Sequence, residues 1–151
     1  MDYIAYTDGS YGENGDKKAY GSAAIYKNEN DTQWTVLTSV GKDPNLLSHR
    51  NVAGEVLAVL QLCKHFLNNV KDCTNLTIVY DYIGIENWVT GTWKAKKELT
   101  INYRSYMREV VMKRIHINFK HTKGHSGDAG NTEVDKIVNR VVQDYLYGSD
   151  I

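Results

Sequence analysis

The chain has 151 residues, 42% apolar and 24% charged, with a formal net charge of zero. That is about one ordinary domain, long enough to bury a core without disulfides, and no apolar run approaches the roughly 20 residues of a membrane helix. The neutral balance argues mildly against a nucleic-acid binder, yet the charge is unevenly spread: residues 94–123 carry 9 Lys/Arg against 2 Asp/Glu, while the segments on either side are net acidic. A basic block of this kind is either a solvated helix and strand or a phosphate-facing surface.

In chain order, Tyr3 to Tyr6, Tyr20 to Tyr26 and Trp34 to Leu37 read as three strands. Gly12, Asn14-Gly15-Asp16 and Asn28 to Asp31 punctuate them as turns, which predicts an antiparallel meander. From Asn51 to Val70 apolar residues recur every three or four positions, the pattern of a helix with one buried face. Glu55 falls at the margin of that face. Leu76 to Tyr80 is a β-rich run ending at Asp81, Ile83 to Trp88 a short helix, Tyr103 to Lys113 a further helix and Ile115 to Phe119 a strand. A loop from His121 to Gly130 precedes a last helix over Glu133 to Tyr147, giving the order β-β-β-α-β-α-α-β-α. No repeat or linker interrupts it, so residues 1–151 are expected to form a single domain. Met1-Asp2-Tyr3-Ile4 has no basic or cleavable apolar region, and Cys63 and Cys73 lack metal-ligand spacing. Free thiols and a cytoplasmic location are the expectation.

Four acids stand apart from the solvated faces: Asp8 in Thr7-Asp8-Gly9-Ser10, Glu55 on the long helix, Asp81 at a strand's carboxyl end, and Asp135 ten residues after His125. Acids at strand ends and on buried helix margins look built to converge. Converging carboxylates repel and lose hydration, so a fold keeps them only with cations to offset the repulsion. All-oxygen ligation suits a hard ion, Mg2+ with Mn2+ as substitute, and a pair of such ions is the usual apparatus for phosphodiester chemistry. The residues therefore point to a metal-dependent nuclease.

These motifs in this order resemble the type 1 ribonuclease H family. Tyr6-Thr7-Asp8-Gly9-Ser10 is similar to its first-strand motif, Asn51-Val52-Ala53-Gly54-Glu55 to its helix-borne glutamate, and Val79-Tyr80-Asp81 to its fourth-strand aspartate. His121-Thr122-Lys123-Gly124-His125 and Asn131-Thr132-Glu133-Val134-Asp135 resemble its closing loop and helix. The resemblance implies an α/β ribonuclease H-like fold, a mixed five-stranded sheet of three antiparallel and then two parallel strands, with helices on both faces. It implies hydrolysis of the RNA strand of RNA/DNA hybrids with two divalent ions, leaving 5′-phosphate and 3′-hydroxyl ends. Asp8, Glu55, Asp81 and Asp135 would be metal ligands and His125 a mobile catalytic histidine.

The resemblance further implies that Gly9, Ser10, Asn51 and Asn131 line the RNA strand, and that Trp93, Lys94, Lys96 and Lys97 meet the DNA strand through stacking and phosphate contacts. Local roles stand beside these: a helix cap for Asn51, a turn for Gly9 and Ser10, a core position for Trp88. Departures from the family pattern are Ile83, where many relatives have a polar residue, and a basic stretch over 88–97 too short for the family's full handle. Nothing in the sequence demands more than a monomer. It leaves open a stand-alone enzyme, a catalytic domain that works with a separate hybrid-binding domain, and a polymerase-associated domain. An exonuclease or resolvase of this fold is the nearest rival, opposed by Gly9-Ser10, which supplies no second first-strand acid. A binding module with a dead site is opposed by the presence of all four acids.

Overall fold

Five strands pair in the order β3-β2-β1-β4-β5 in the computed structural model, which describes residues 1–123 and 128–148. The strands are β1 (Asp2–Asn14), β2 (Lys17–Asn28), β3 (Thr35–Gly41), β4 (Asn75–Tyr80) and β5 (His116–His121). β1, β2 and β3 are antiparallel, whereas β4 is parallel to β1 and to β5. The predicted mixed sheet is therefore the observed one. Its hairpin is longer than the turn signals suggested: Gly12 stays in the ladder, and only Gly15, with φ of 61°, and Asp16 make the turn.

Helices are α1 (Pro44–Leu47), α2 (Asn51–Asn69), α3 (Gly84–Thr90), α4 (Glu98–Tyr106) and α5 (Ala129–Tyr147). α2 carries the stripe Val56, Val59, Cys63 and Phe66 into the main core, where Ala5, Ala24, Leu76, Ile78 and Tyr80 meet it. α5 covers the opposite face, setting Val134 and Val138 on Ala23 and Ile25, and Val142 and Leu146 on Ala19. Because a helix lies on each side, β2 is buried continuously from Ala19 to Tyr26 rather than alternating. Its α5 side is small from Ala19 through Gly21 to Ala23, where the helix comes close: a Cβ at Gly21 would stand 2.4 Å from Val142 Cγ2.

Three local readings are corrected. α4 starts at Glu98 rather than Tyr103, held by Thr100, whose hydroxyl joins the Lys97 carbonyl and amide. Its last turn widens into a π-helix over Met107–Val111, which keeps Tyr103, Met107 and Val111 in the core. α5 starts four residues earlier than predicted, because Asp128 accepts from the Gly130 and Asn131 amides as its N-cap. Asn51 does not cap α2; Arg50 holds that position, with no side-chain cap bond.

Candidate active site

The parallel ladder between β1 and β4 stops at Tyr6 and Val79. Asp8 and Asp81 each lie two residues beyond that last pair, at the point where the strands part and ligands of open α/β sheets collect. Glu55 reaches the same gap from α2. It can do so because α2 rests backbone-to-backbone on β1 and β2: a Cβ on Gly9 would stand 2.1 Å from the Glu55 nitrogen, and one on Gly54 2.0 Å from the Gly21 carbonyl oxygen. A glycine inside a helix costs about 1 kcal/mol relative to alanine. Here Gly54 allows the approach that aims its neighbour Glu55.

The carboxylates of Asp8, Glu55 and Asp81 offer oxygens that all lie within 4.8 Å of one another. Asp8 and Glu55 are each only 3% exposed, and Asp81 is half-buried. The Gly9 amide donates to Asp8 Oδ1 at 2.9 Å. Glu55 Oε2 is buried with no hydrogen-bond partner. Among the described residues the ion pairs are Lys18–Glu13 and Lys113–Glu109, so no lysine or arginine answers the acidic cluster. His121, at the end of β5, places Nε2 2.9 Å from the Asp81 carbonyl oxygen.

Burial, then the charge of Asp81, pushes the Asp8 carboxyl up to about 7. Burial, then Asp8 and Asp81, raises Glu55 well above the ordinary carboxylate range, and burial also raises Asp81. Asp135, half-buried on α5, lies close enough to push Asp8 and Asp81 in the same direction. An all-oxygen donor set whose burial and mutual repulsion raise its carboxyl pKa values, with one buried oxygen unanswered, fits one or two hard divalent ions.

The RNase H family matches residues 1–143. The chain belongs to that family. It is 24% identical over 149 residues to ribonuclease H of Pseudomonas paraeruginosa, an alignment covering 92% of each protein. It is 27% identical over 141 residues to mouse ribonuclease H1, covering 89% of this chain but spanning only about half, 48%, of that relative. LC11-RNase H1, solved in complex with an RNA/DNA hybrid, superposes with a TM-score of 0.69 at 18% identity, covering 95% of this chain and 99% of that one.

The other residues picked out from this RNase H sequence are spread around the cluster. Asn51, exposed, opens α2 one turn before Glu55, and Asn131 is buried in the first turn of α5. Ser10 donates to Asn139 Oδ1 on α5 at 2.7 Å. Trp88 is core, as its local reading had it, and stands edge-on to the more exposed Trp93 at 5.7 Å. A cleft of about 340 Å3 starts at Tyr82, beside Asp81, and runs over Trp88 and Thr100 between the exposed Lys94, Lys96 and Lys97. Ile83 is exposed and apolar where a polar contact is expected. His125 lies outside the described residues.

Sequence reasoning missed the seating of α5 and the fit at Gly54. Tyr6 packs its ring on Gly130, where a Cβ would stand 2.3 Å from Cε1, and its hydroxyl reaches Asp128 Oδ2 at 3.4 Å. These contacts fix the start of the helix that carries Asp135. A glycine beside an acid in the first turn of a strongly periodic helix was the available signal.

Proposed function

We propose that this chain hydrolyses the RNA strand of RNA/DNA hybrids, with Asp8, Glu55, Asp81 and Asp135 as ligands for two Mg2+ ions and Mn2+ as a substitute. The observation that carries the reading is the convergence of three carboxylates on a buried, unanswered Glu55 oxygen in a chain of the RNase H family. The hybrid bound to LC11-RNase H1 supports the substrate class. When bound, two such ions supply an activated water for in-line attack and charge stabilisation at the departing 3′ oxygen, leaving 5′-phosphate and 3′-hydroxyl ends.

The chain's own residues do the rest. The Gly9 amide fixes the Asp8 carboxylate, and the rigid seat of α2 on β1 fixes Glu55, so the ligands are held before metal arrives. Gly9, Ser10, Asn51 and Asn131 lie along the RNA strand in this reading, and Lys94, Lys96 and Lys97, in the cleft that opens beside Asp81, take the DNA strand together with Trp93, which stands against Trp88. His125 serves proton transfer or product release. Residues 1–151 act as one catalytic domain, a monomer in the cytoplasm. Among the described residues no helix is long and apolar enough to cross a membrane.

The direct test uses an end-labelled RNA strand in a hybrid, with Mg2+ and then Mn2+, beside single-stranded RNA, duplex RNA and duplex DNA. Cutting of the hybrid alone is expected, and cutting of duplex DNA would move the chain to the rival nucleases. Replacing Lys94, Lys96 and Lys97 together by alanine is expected to raise KM several-fold with kcat little changed. The same variant should lower the slope of log KM against log salt by up to about 3, roughly one per lost phosphate contact. An unaltered slope would remove the DNA-strand assignment from these lysines.

A further inference from the structure

Asp81 stands past the end of both ladders that hold β4. The β1–β4 pairing stops at Val79, and the β4–β5 pairing runs out at Tyr80 and His121, with one further bond from the Thr122 amide to the Tyr80 carbonyl at 2.8 Å. The next carbonyl along the chain, that of Asp81 itself, is met by a side chain instead: His121 brings Nε2 to 2.9 Å from it. A carbonyl oxygen only accepts, so His121 carries a proton on Nε2 and donates it to this bond.

The ring that makes this bond is itself braced. Ile117, Phe119 and His121 alternate onto one face of β5, the face on which Tyr80 of β4 also packs. His121 lies tilted at 47° to the Tyr80 ring with centroids 5.5 Å apart, and Phe119 meets the same ring edge-on at 6.0 Å. Tyr80 is a fixed support, because it is buried and its hydroxyl donates to Glu86 Oε1 of α3 at 2.6 Å. His121 is exposed, so its ring adds little to the core, and the bond to Asp81 is what sets it apart.

We infer that His121 is a positioning residue: braced on Tyr80, it clamps the Asp81 main chain where the sheet no longer does, and so sets the aim of the Asp81 carboxylate at the metal site. The inference rests on the proposed hydrolase reading and deepens it. An aspartate has a one-carbon stem, so its carboxylate follows its own backbone closely. Main chain left free beyond Tyr80 would swing that carboxylate away from Asp8 and Glu55, whose oxygens now lie within 4.8 Å of it. Groups that orient a metal ligand from outside act in this way, and their loss costs about 10–100-fold in metal affinity or activity. A clamp on the ligand's main chain rather than on its carboxylate belongs at the lower end of that range.

The test titrates Mg2+ into wild type, His121→Phe and His121→Gln, reading the melting temperature without hybrid and single-turnover cleavage with it. Phenylalanine keeps a ring against Tyr80 and loses the donor, whereas glutamine offers an N–H at nearly the reach of Nε2. The Phe variant is expected to need about tenfold more Mg2+ for the same melting shift and for half-maximal cleavage, with KM for the hybrid little changed at saturating metal. The Gln variant should stay within about threefold of wild type on both readouts. Melting in EDTA reports whether each variant folds, and His121→Leu replaces a Phe variant that does not. A donor-less variant that melts lower in EDTA yet responds to Mg2+ as wild type does would overturn the inference, since the bond would then serve only the strand end. A folded Gln variant that needs as much metal as the Phe variant would overturn it too. Wild type that neither shifts with Mg2+ nor cuts hybrid would instead sink the hydrolase reading, and this inference with it.

Discussion

Asp8→Asn is expected to abolish hybrid cleavage and, in the same protein, to raise the melting temperature of the metal-free form at pH 8. The first effect follows from its place in the cluster: a direct ligand matters at least as much as the outer partners of metal ligands, whose loss costs about 10–100-fold. The second follows from linkage. The folded protein holds the Asp8 proton up to about pH 7, whereas an unfolded aspartate releases it near its ordinary value of 3.8. Between those values the folded state binds more protons, so stability falls as pH rises through the window, and it is fully present only below the lower value. Glu55 and Asp81, also raised, act in the same direction.

The metal-free wild type should therefore melt lower at pH 8 than at pH 5, and millimolar Mg2+ or Mn2+ should restore stability most at pH 8, where the site is ionised and empty of protons. Asparagine removes one charge from the cluster, so the variant should show a flatter pH profile and a smaller metal-induced shift. Thermal denaturation in EDTA and in Mg2+ at both pH values reads all of this. A variant whose melting profile tracks wild type in every condition would show that Asp8 neither strains the apo site nor binds the ion.

How far the sequence disclosed this arrangement depended on the range of the interactions. α2 and the last helix were legible because their apolar stripes obey a local period, and β4 because a short β-rich run ends at a lone acid. The extra length of β1 was hidden, since Gly12 and Asn14 carry turn signals that the pairing with β2 overrides. The early start of α4 was hidden because side-chain bonds between Thr100 and the Lys97 backbone set it, and its π-turn because tertiary packing of Tyr103, Met107 and Val111 does. At the site, four separate acids were visible as anomalies, but no periodicity states that the β1–β4 ladder ends two residues short of both Asp8 and Asp81. Nor does the Asn-X-X-X-Glu spacing reveal that Arg50, not Asn51, occupies the cap position, at a φ of 55°.

Gly54→Ala is the sharpest test of whether that backbone fit aims the site. By helix propensity alone, alanine at an interior helical position should stabilise by about 1 kcal/mol. The geometry predicts the opposite, because the new methyl would stand 2.0 Å from the Gly21 carbonyl oxygen and 3.0 Å from Gly9 Cα, both backbone atoms in the central strands. No rotamer change relieves such a contact; α2 must lift off β1 and β2. Overpacking of this kind costs typically 1–3 kcal/mol and sometimes more, so a net loss of about 2 kcal/mol, or roughly 4–8 °C in melting temperature, is expected.

The helix that lifts carries Glu55 as its next residue, and a displacement near 1 Å at a reacting constellation costs on the order of 100-fold in rate. The predicted variant is thus folded at 25 °C yet nearly inactive, with its metal-induced stabilisation reduced. Circular dichroism melts with and without Mg2+, together with single-turnover cleavage, separate the outcomes. If Gly54→Ala were stabilised and fully active, the close seat of α2 would not be what positions Glu55, and the cluster would owe its convergence to the strands alone.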